Sequence, residues 1–283
     1  MSASPQRLCF YGAGSMSEAI VRGLLDRGLT APEQISMFNR QNAARLAELN
    51  SSYGVQVSSD AARQLDMLRN ADVIFLSMKP KDAAAAIRKL GEIVTSKQLI
   101  VSVIAGLSIH TIEQLLGQPA PIARTMPNTS STIGLGATGI SFSAAVTQKQ
   151  QQAVQAMFQA IGLTAVVEER QLDAVTGVSG SGPAYIYYIM EALIQGGIQL
   201  GLSAEDARAL TVQTVLGAAH MVQQTGEAPE LLRQKVTSPN GTTEAALKVL
   251  AEQQVAPAVI QAVATAAERA AQLGAEIERS ALS

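Results

Sequence analysis

A chain of 283 residues, 47% hydrophobic and 16% charged, carries enough apolar material for two cored domains or one large one. A formal net charge of −2 gives no reason to expect nucleic acid or an anionic membrane as a partner. The only cysteine, Cys9, rules out an intramolecular disulfide, the polar start at 1–7 has no signal-peptide core, and no apolar run is long enough to span a bilayer, so a soluble cytoplasmic protein is expected.

Residues 7–11 form a short apolar run that ends in Gly12-Ala13-Gly14-Ser15-Met16-Ser17. The spacing is G-x-G-x-x-S between a strand and a helix. Gly12 and Gly14 let the backbone turn tightly and approach a pyrophosphate, with the small Ser17 where a third glycine often stands. A plain tight turn is the competing reading. The helix runs to about Arg27 and stops at Gly28, and 35–38 is the second strand. A site for NAD usually places Asp or Glu at the end of that strand, to hold the ribose hydroxyls. Asn39 and Arg40 stand there instead. A guanidinium suits a phosphate, so NADPH is expected over NADH, with Arg40 on the 2′-phosphate.

Strands are then expected at 54–57, 72–77, 99–104 and 121–125, with a helix at 61–70 and another beginning at Pro80. Near-continuous apolar strands alternating with helices imply a parallel sheet covered on both faces. Ser77, Met78, Lys79 and Pro80 follow one strand, and Ala105 and Gly106 another, where ligands bind in such sheets. Lys79 and Asn128 stand at strand ends, either as ligand contacts or as loop caps. A β segment at 134–143, a helix at 149–161 and a strand at 162–167 complete the first domain, 1–167.

From 168 to 283 the strand signals vanish. A helix at 172–179 is broken by Gly180-Ser181-Gly182-Pro183, and 184–200 is apolar nearly all round, as is 210–222. Such helices must be buried on all sides, and the second domain alone is too small to surround them. A two-fold partner is the simplest cover, so a homodimer is expected. Glu191 is read as a buried carboxylate in need of a partner, and His110 and His220 as structural histidines. No cluster has metal-site spacing.

The stretch 235–247 is a polar loop running into a helix, with Ser238, Asn240, Thr242 and Thr243 at the helix entrance. Ordinary capping is one reading. The other is an anion site, because the first N–H groups of a helix have no partner within it and a carboxylate can dock there.

Taken together, these blocks resemble the pyrroline-5-carboxylate reductases over nearly the whole chain. The likeness is carried by 10–16, 78–80, 101–107, 124–129, the run Val175-Thr176-Gly177-Val178-Ser179-Gly180-Ser181-Gly182-Pro183-Ala184-Tyr185 and, above all, Val236-Thr237-Ser238-Pro239-Asn240-Gly241-Thr242-Thr243. The resemblance implies a Rossmann-type, mainly parallel α/β domain followed by an all-α dimerisation domain. It implies reduction of the cyclic imine Δ1-pyrroline-5-carboxylate to L-proline, with NADPH preferred and NADH a second donor, and dimers that assemble into rings. The cofactor is expected on Gly12, Gly14, Ser15, Met16, Asn39, Arg40, Ser77, Met78, Lys79, Pro80, Ala105 and Gly106. The substrate is expected on Ser238, Asn240, Gly241, Thr242, Thr243 and Asn128, and the resemblance puts the Thr243 hydroxyl at the ring nitrogen. In such enzymes the 238–243 loop of one subunit faces the cofactor domain of the other. One departure stands out: Ser58, Ser59 and Asp60 occupy the region where the family often has an asparagine for the adenosine ribose. Competing readings are a β-hydroxyacid dehydrogenase type of reductase, in which Lys235 and Lys248 lack the expected setting, and an NADPH sensor without chemistry.

Overall fold

In the computed structural model, which describes residues 6–40 and 42–282, the apolar runs become one eight-stranded sheet. Strand β1 (Leu8–Tyr11) feeds helix α1 (Ser15–Asp26), and β2 (Ile35–Phe38) follows. Next come α2 (Ala43–Tyr53), β3 (Gln56–Val57), α3 (Ala61–Asn70), β4 (Val73–Leu76) and α4 (Pro80–Gly91). The remaining strands are β5 (Leu99–Ser102), β6 (Ile122–Met126), β7 (Gly136–Phe142) and β8 (Gly162–Val166), with α5 (Ile109–Leu116) after β5 and α6 (Gln148–Gln159) after β7. The order is β3-β2-β1-β4-β5-β6-β7-β8. Only β6 and β7 run antiparallel.

Central strands that are apolar throughout must be covered on both faces. Two core clusters do this. One contains Phe10, Phe75 and Phe158, and the other contains Ile74, Leu76 and Ile100. Phe10 stacks on Phe75 with ring centres 4.3 Å apart and planes within 7°. Strand order reverses at β1, whose neighbours are β2 and β4, and a crevice for a ligand opens at the carboxyl ends of strands at such a point. At the opposite ends of β1, β2 and β3 lies a second, open cavity lined by Arg7, Glu33, Ser36, Gln56, Arg63 and Asp66, away from the glycine turn.

The expected third strand shortens to two residues, because Gly54 at φ +69° caps α2 in the left-handed region instead of starting the strand. Helix α7 (Leu172–Val175) leads into a π-helix at Thr176–Gly180. The expected break at 180–183 therefore shrinks to Ser181, and α8 (Gly182–Gln199) starts at once with Pro183 in its first turn.

The chain divides into two compact units, 1–180 with 265–283, and 181–264. The second unit holds α8, α9 (Ala204–Thr225), α10 (Pro229–Lys235), α11 (Thr242–Glu252) and the first part of α12 (Val255–Leu282). The end of α12 joins the first unit, where Ala281 and Ile277 pack into a core cluster. The Arg88 guanidinium donates to the Ala281 carbonyl there. A boundary drawn where the strands end follows the change from strands to helices and leaves out this returning helix.

No residue of α8 is buried in the single chain. Ile186, Tyr187, Tyr188 and Leu193 are 48, 57, 73 and 50% exposed. The burial expected for α8 is thus absent from one chain alone. Glu191, on the same helix, is likewise uncovered in one chain alone, and His110 and His220 are exposed there. Among the described residues no helix is long and apolar enough to cross a membrane.

Candidate active site

The residues expected to hold the cofactor lie at the carboxyl ends of β1, β2, β4 and β5. Gly12 sits at φ +124°, a conformation that side chains rarely adopt, and its N–H donates to the Phe38 carbonyl at 3.0 Å. A Cβ there would lie 2.5 Å from the Ser77 carbonyl carbon and oxygen. The close approach is fixed by hydroxyls. Ser17 Oγ lies 2.8 Å from both the Gly12 carbonyl oxygen and Ser77 Oγ, and Ser77 Oγ donates to the same carbonyl at 2.9 Å. Ser17 thus does more than leave room, since it pins the turn of β1 to the end of β4.

Gly14 is the N-cap of α1 and makes no side-chain cap. Nothing lies within 4 Å of where its Cβ would be. The outward N–H groups of Ser15 and Met16 thus stand beside open space at a helix start, the arrangement that receives a pyrophosphate. These residues fit a dinucleotide, with a cradle that a side chain would fill at Gly12 and an uncapped helix end at Gly14.

Asn39 is turned toward its own loop. Its amide donates to the Asn42 carbonyl at 3.0 Å and accepts from the Asn42 N–H at 2.8 Å, so its side chain shapes the entrance to α2. Arg40 is exposed and its Nη1 donates to Asp82 Oδ1 at 3.2 Å. Lys79 caps α4 through its backbone carbonyl, which accepts from the Asp82 N–H, and Pro80 opens that helix. Gly106 lies at φ +77°, and a Cβ there would come within 3.2 Å of the Gly274 nitrogen on α12. This contact fixes the Ala105–Gly106 turn, and the sequence reading gave no sign of it. Ser58 and Asp60 cap α3: Asp60 accepts from the Arg63 N–H and Ser58 Oγ from the Asp60 N–H.

Asn128 is buried, and both ends of its amide are engaged within the protein. Nδ2 donates to the Ser179 carbonyl at 3.0 Å, in the π-helix, and Oδ1 accepts from the Ala137 N–H at 3.2 Å. These two bonds hold the 128 loop against the π-helix and β7, and each end of the amide keeps a second hydrogen-bonding position. Arg124, on the strand before it, pairs with Glu169 at 3.0 Å and Asp173 at 3.8 Å and anchors the start of α7.

In the helical unit, the loop between α10 and α11 is built by its own backbone. The Gly241 N–H donates to the Ser238 carbonyl at 3.0 Å, and a Cβ on Gly241 would fall 2.5 Å from Ser238 Oγ. Gly241 therefore contributes by having no side chain, since its N–H is committed to the turn. Asn240 holds φ +59°, which Asn tolerates better than most residues. The Glu244 carboxylate reaches back to the Asn240 N–H at 2.7 Å. That contact went unread although a glutamate at the third helical position is a known capping signal. Helix α11 starts at Thr242 with no side-chain cap, which removes ordinary capping as the reason for Ser238, Asn240, Thr242 and Thr243. Ser238, Asn240 and Thr242 are exposed and Thr243 is half-buried. The arrangement is an uncapped helix start flanked by hydroxyls, suited to an anion with a polar group beyond it.

The glycine turn at a strand-order reversal, the pinned strand ends and the helical region that follows define a nicotinamide-dependent oxidoreductase. Comparison with known proteins narrows the class. Residues 169–273 match the family model for pyrroline-5-carboxylate reductase dimerisation, and 7–106 match that for NADP oxidoreductase, coenzyme F420-dependent. Pyrroline-5-carboxylate reductase 2 of Bacillus subtilis is 42% identical over 279 residues, which span 97% of this chain and 99% of that one. The Arabidopsis thaliana pyrroline-5-carboxylate reductase is 38% identical over 264 residues, 93% of this chain and 94% of its own. The solved Coxiella burnetii pyrroline-5-carboxylate reductase superposes with a TM-score of 0.89 at 38% identity, covering 95% of this chain and 99% of that one. A Plasmodium falciparum pyrroline carboxylate reductase solved with NADP bound gives 0.82 at 26% identity, covering 95 and 98%. The chain belongs to the pyrroline-5-carboxylate reductase family.

Proposed function

We propose that this enzyme reduces Δ1-pyrroline-5-carboxylate to L-proline in the cytoplasm, with NADPH as preferred donor and NADH accepted. The observation that carries the reading is the uncapped start of α11 beside Ser238, Thr242 and Thr243, on a chain whose other unit carries the glycine turn. When bound, the reduced nicotinamide would supply a hydride to the imine carbon, C2 of the pyrroline ring, which becomes C5 of proline. The N–H groups of Thr242 and Thr243, with the Ser238 hydroxyl, hold the substrate carboxylate. The Thr243 hydroxyl hydrogen-bonds the ring nitrogen, which favours the protonated imine and makes the imine carbon electrophilic. Glu244 is tied to the loop through the Asn240 N–H and shapes the site without serving as the acid. Orientation of two bound partners and hydrogen bonding to the developing amine supply most of the acceleration.

By role, residues 1–167 hold the cofactor, and 168–283 dimerise and hold the substrate. The uncovered apolar surface of α8 supports a homodimer, which assembles further into a ring. The reading is tested by steady-state reduction of the imine with each cofactor. Turnover of a 3-oxo acid, but not of the imine, would replace it with the β-hydroxyacid dehydrogenase reading.

A further inference from the structure

The end of β2 and the start of α4 meet through one ion pair. Arg40 Nη1 donates to Asp82 Oδ1 at 3.2 Å, with the Arg40 side chain 78% and the Asp82 side chain 37% exposed. Strands β2 and β4 flank β1, so the pair spans the carboxyl end of the strand that carries the glycine turn. Arg40 is the cation expected on the 2′-phosphate, and here it already has a carboxylate. Asp82 is in the first turn of α4, at the positive end of the helix.

A 2′-phosphate brings ~1.5 to 2 negative charges at neutral pH, on the pattern of other phosphate monoesters. NADH carries a neutral hydroxyl at the same position. The two cofactors therefore meet the Arg40–Asp82 pair differently. The phosphate must share or displace the carboxylate and sit near its charge, whereas the hydroxyl leaves the pair intact.

We propose that Asp82 is a specificity-determining residue: its carboxylate competes with the cofactor's 2′-phosphate for Arg40 and holds the preference for NADPH below what Arg40 alone would give. The inference rests on the assignment of Arg40 to that phosphate. Asp82 touches neither substrate nor nicotinamide in this account and acts only through Arg40. Asp82→Asn removes the charge and preserves size and hydrogen bonding at a partly exposed position, so folding is not at stake.

The test is steady-state kinetics with saturating imine and either cofactor, on wild type, Asp82→Asn, Arg40→Ala and the double variant. Asp82→Asn is expected to lower KM for NADPH roughly two- to fivefold, the range of an exposed ion pair, with KM for NADH and both kcat values unchanged. The gain shrinks as salt is raised and disappears in the Arg40→Ala background. A rise in KM for NADPH, no change, an equal change for both cofactors, or a gain that persists without Arg40 would each overturn the proposal. If Arg40→Ala alone leaves KM for NADPH unchanged, the assignment of Arg40 fails and the proposal with it. If Arg40→Ala raises that KM while Asp82→Asn does nothing, only the role of Asp82 is lost.

Discussion

Ser17 Oγ and Ser77 Oγ lie 2.8 Å apart, and each also lies within reach of the Gly12 carbonyl, at 2.8 and 2.9 Å. The ends of β1 and β4 are thereby tied together at the glycine turn. Gly12→Ala forces a methyl group to 2.5 Å from the Ser77 backbone at φ +124°. Steric overlap and backbone strain, the latter ~1–3 kcal/mol, act together. The expected result is a lower melting temperature and loss of NADPH binding by fluorescence titration. Unchanged binding in Gly12→Ala would contradict the cradle.

A second network bears on pH. Burial works to raise the Glu18 carboxyl, but hydrogen bonds from Arg45 and Tyr53, with the Arg45 charge, outweigh it and hold the group below its ordinary value of 4.5. A depressed folded value means the unfolded state binds the proton first. The stability it contributes is therefore complete above 4.5 and is lost as the pH falls through the lower folded value. Glu18→Gln should lower stability at neutral pH and flatten the acid limb of a urea-midpoint profile. A variant profile parallel to that of wild type would contradict this.

The strands were readable because each is a short apolar run closed by a turn residue, as at 73–76 before Ser77. The helix at 61–70 matches its sequence limits, since Asp60 is a capping residue with an exposed helix behind it. What escaped reading lies in contacts between distant parts of the chain. The π-helix at Thr176–Gly180 has the composition of any small-residue helix end, and only its tie to Asn128 marks it. The Gly106–Gly274 contact joins positions far apart in sequence. Glu191 lies on a helix whose expected cover is a second copy of the chain, and the single chain leaves it open. Of the candidate site, residue identities were legible. The division of labour within 238–244 was not, because whether a backbone N–H is spent on a turn depends on local dihedral angles.

Cys9 is buried in the central strand, and burial, outweighing a hydrogen bond with Ser36, pushes its thiol up to about 12. A thiol that far above neutral pH is almost wholly protonated and shielded. In the native protein Cys9 should resist a thiol reagent such as dithionitrobenzoate and react fully in denaturant. Because the chain has no other cysteine, the labelling rate then reports opening of the sheet. Rapid labelling of native enzyme would contradict the burial.

Tyr188, 73% exposed on α8, tests the covered-helix argument. Tyr188→Asp places a charge on a surface expected to be buried in the dimer, at a cost of several kcal/mol if it stays there. Sedimentation should show smaller species. An unchanged oligomer would mean that this face of α8 is not the interface.

The most direct test of the account is imine-dependent loss of reduced nicotinamide absorbance, with wild type beside Thr243→Ala and NADPH affinity measured separately. The account predicts turnover in wild type and a fall of roughly 10²–10³-fold in kcat for the variant, the scale of losing one transition-state hydrogen bond, with NADPH affinity unchanged. Equal turnover in both would remove Thr243 from the chemistry. No turnover in wild-type protein that still binds NADPH would contradict the proposed reaction itself.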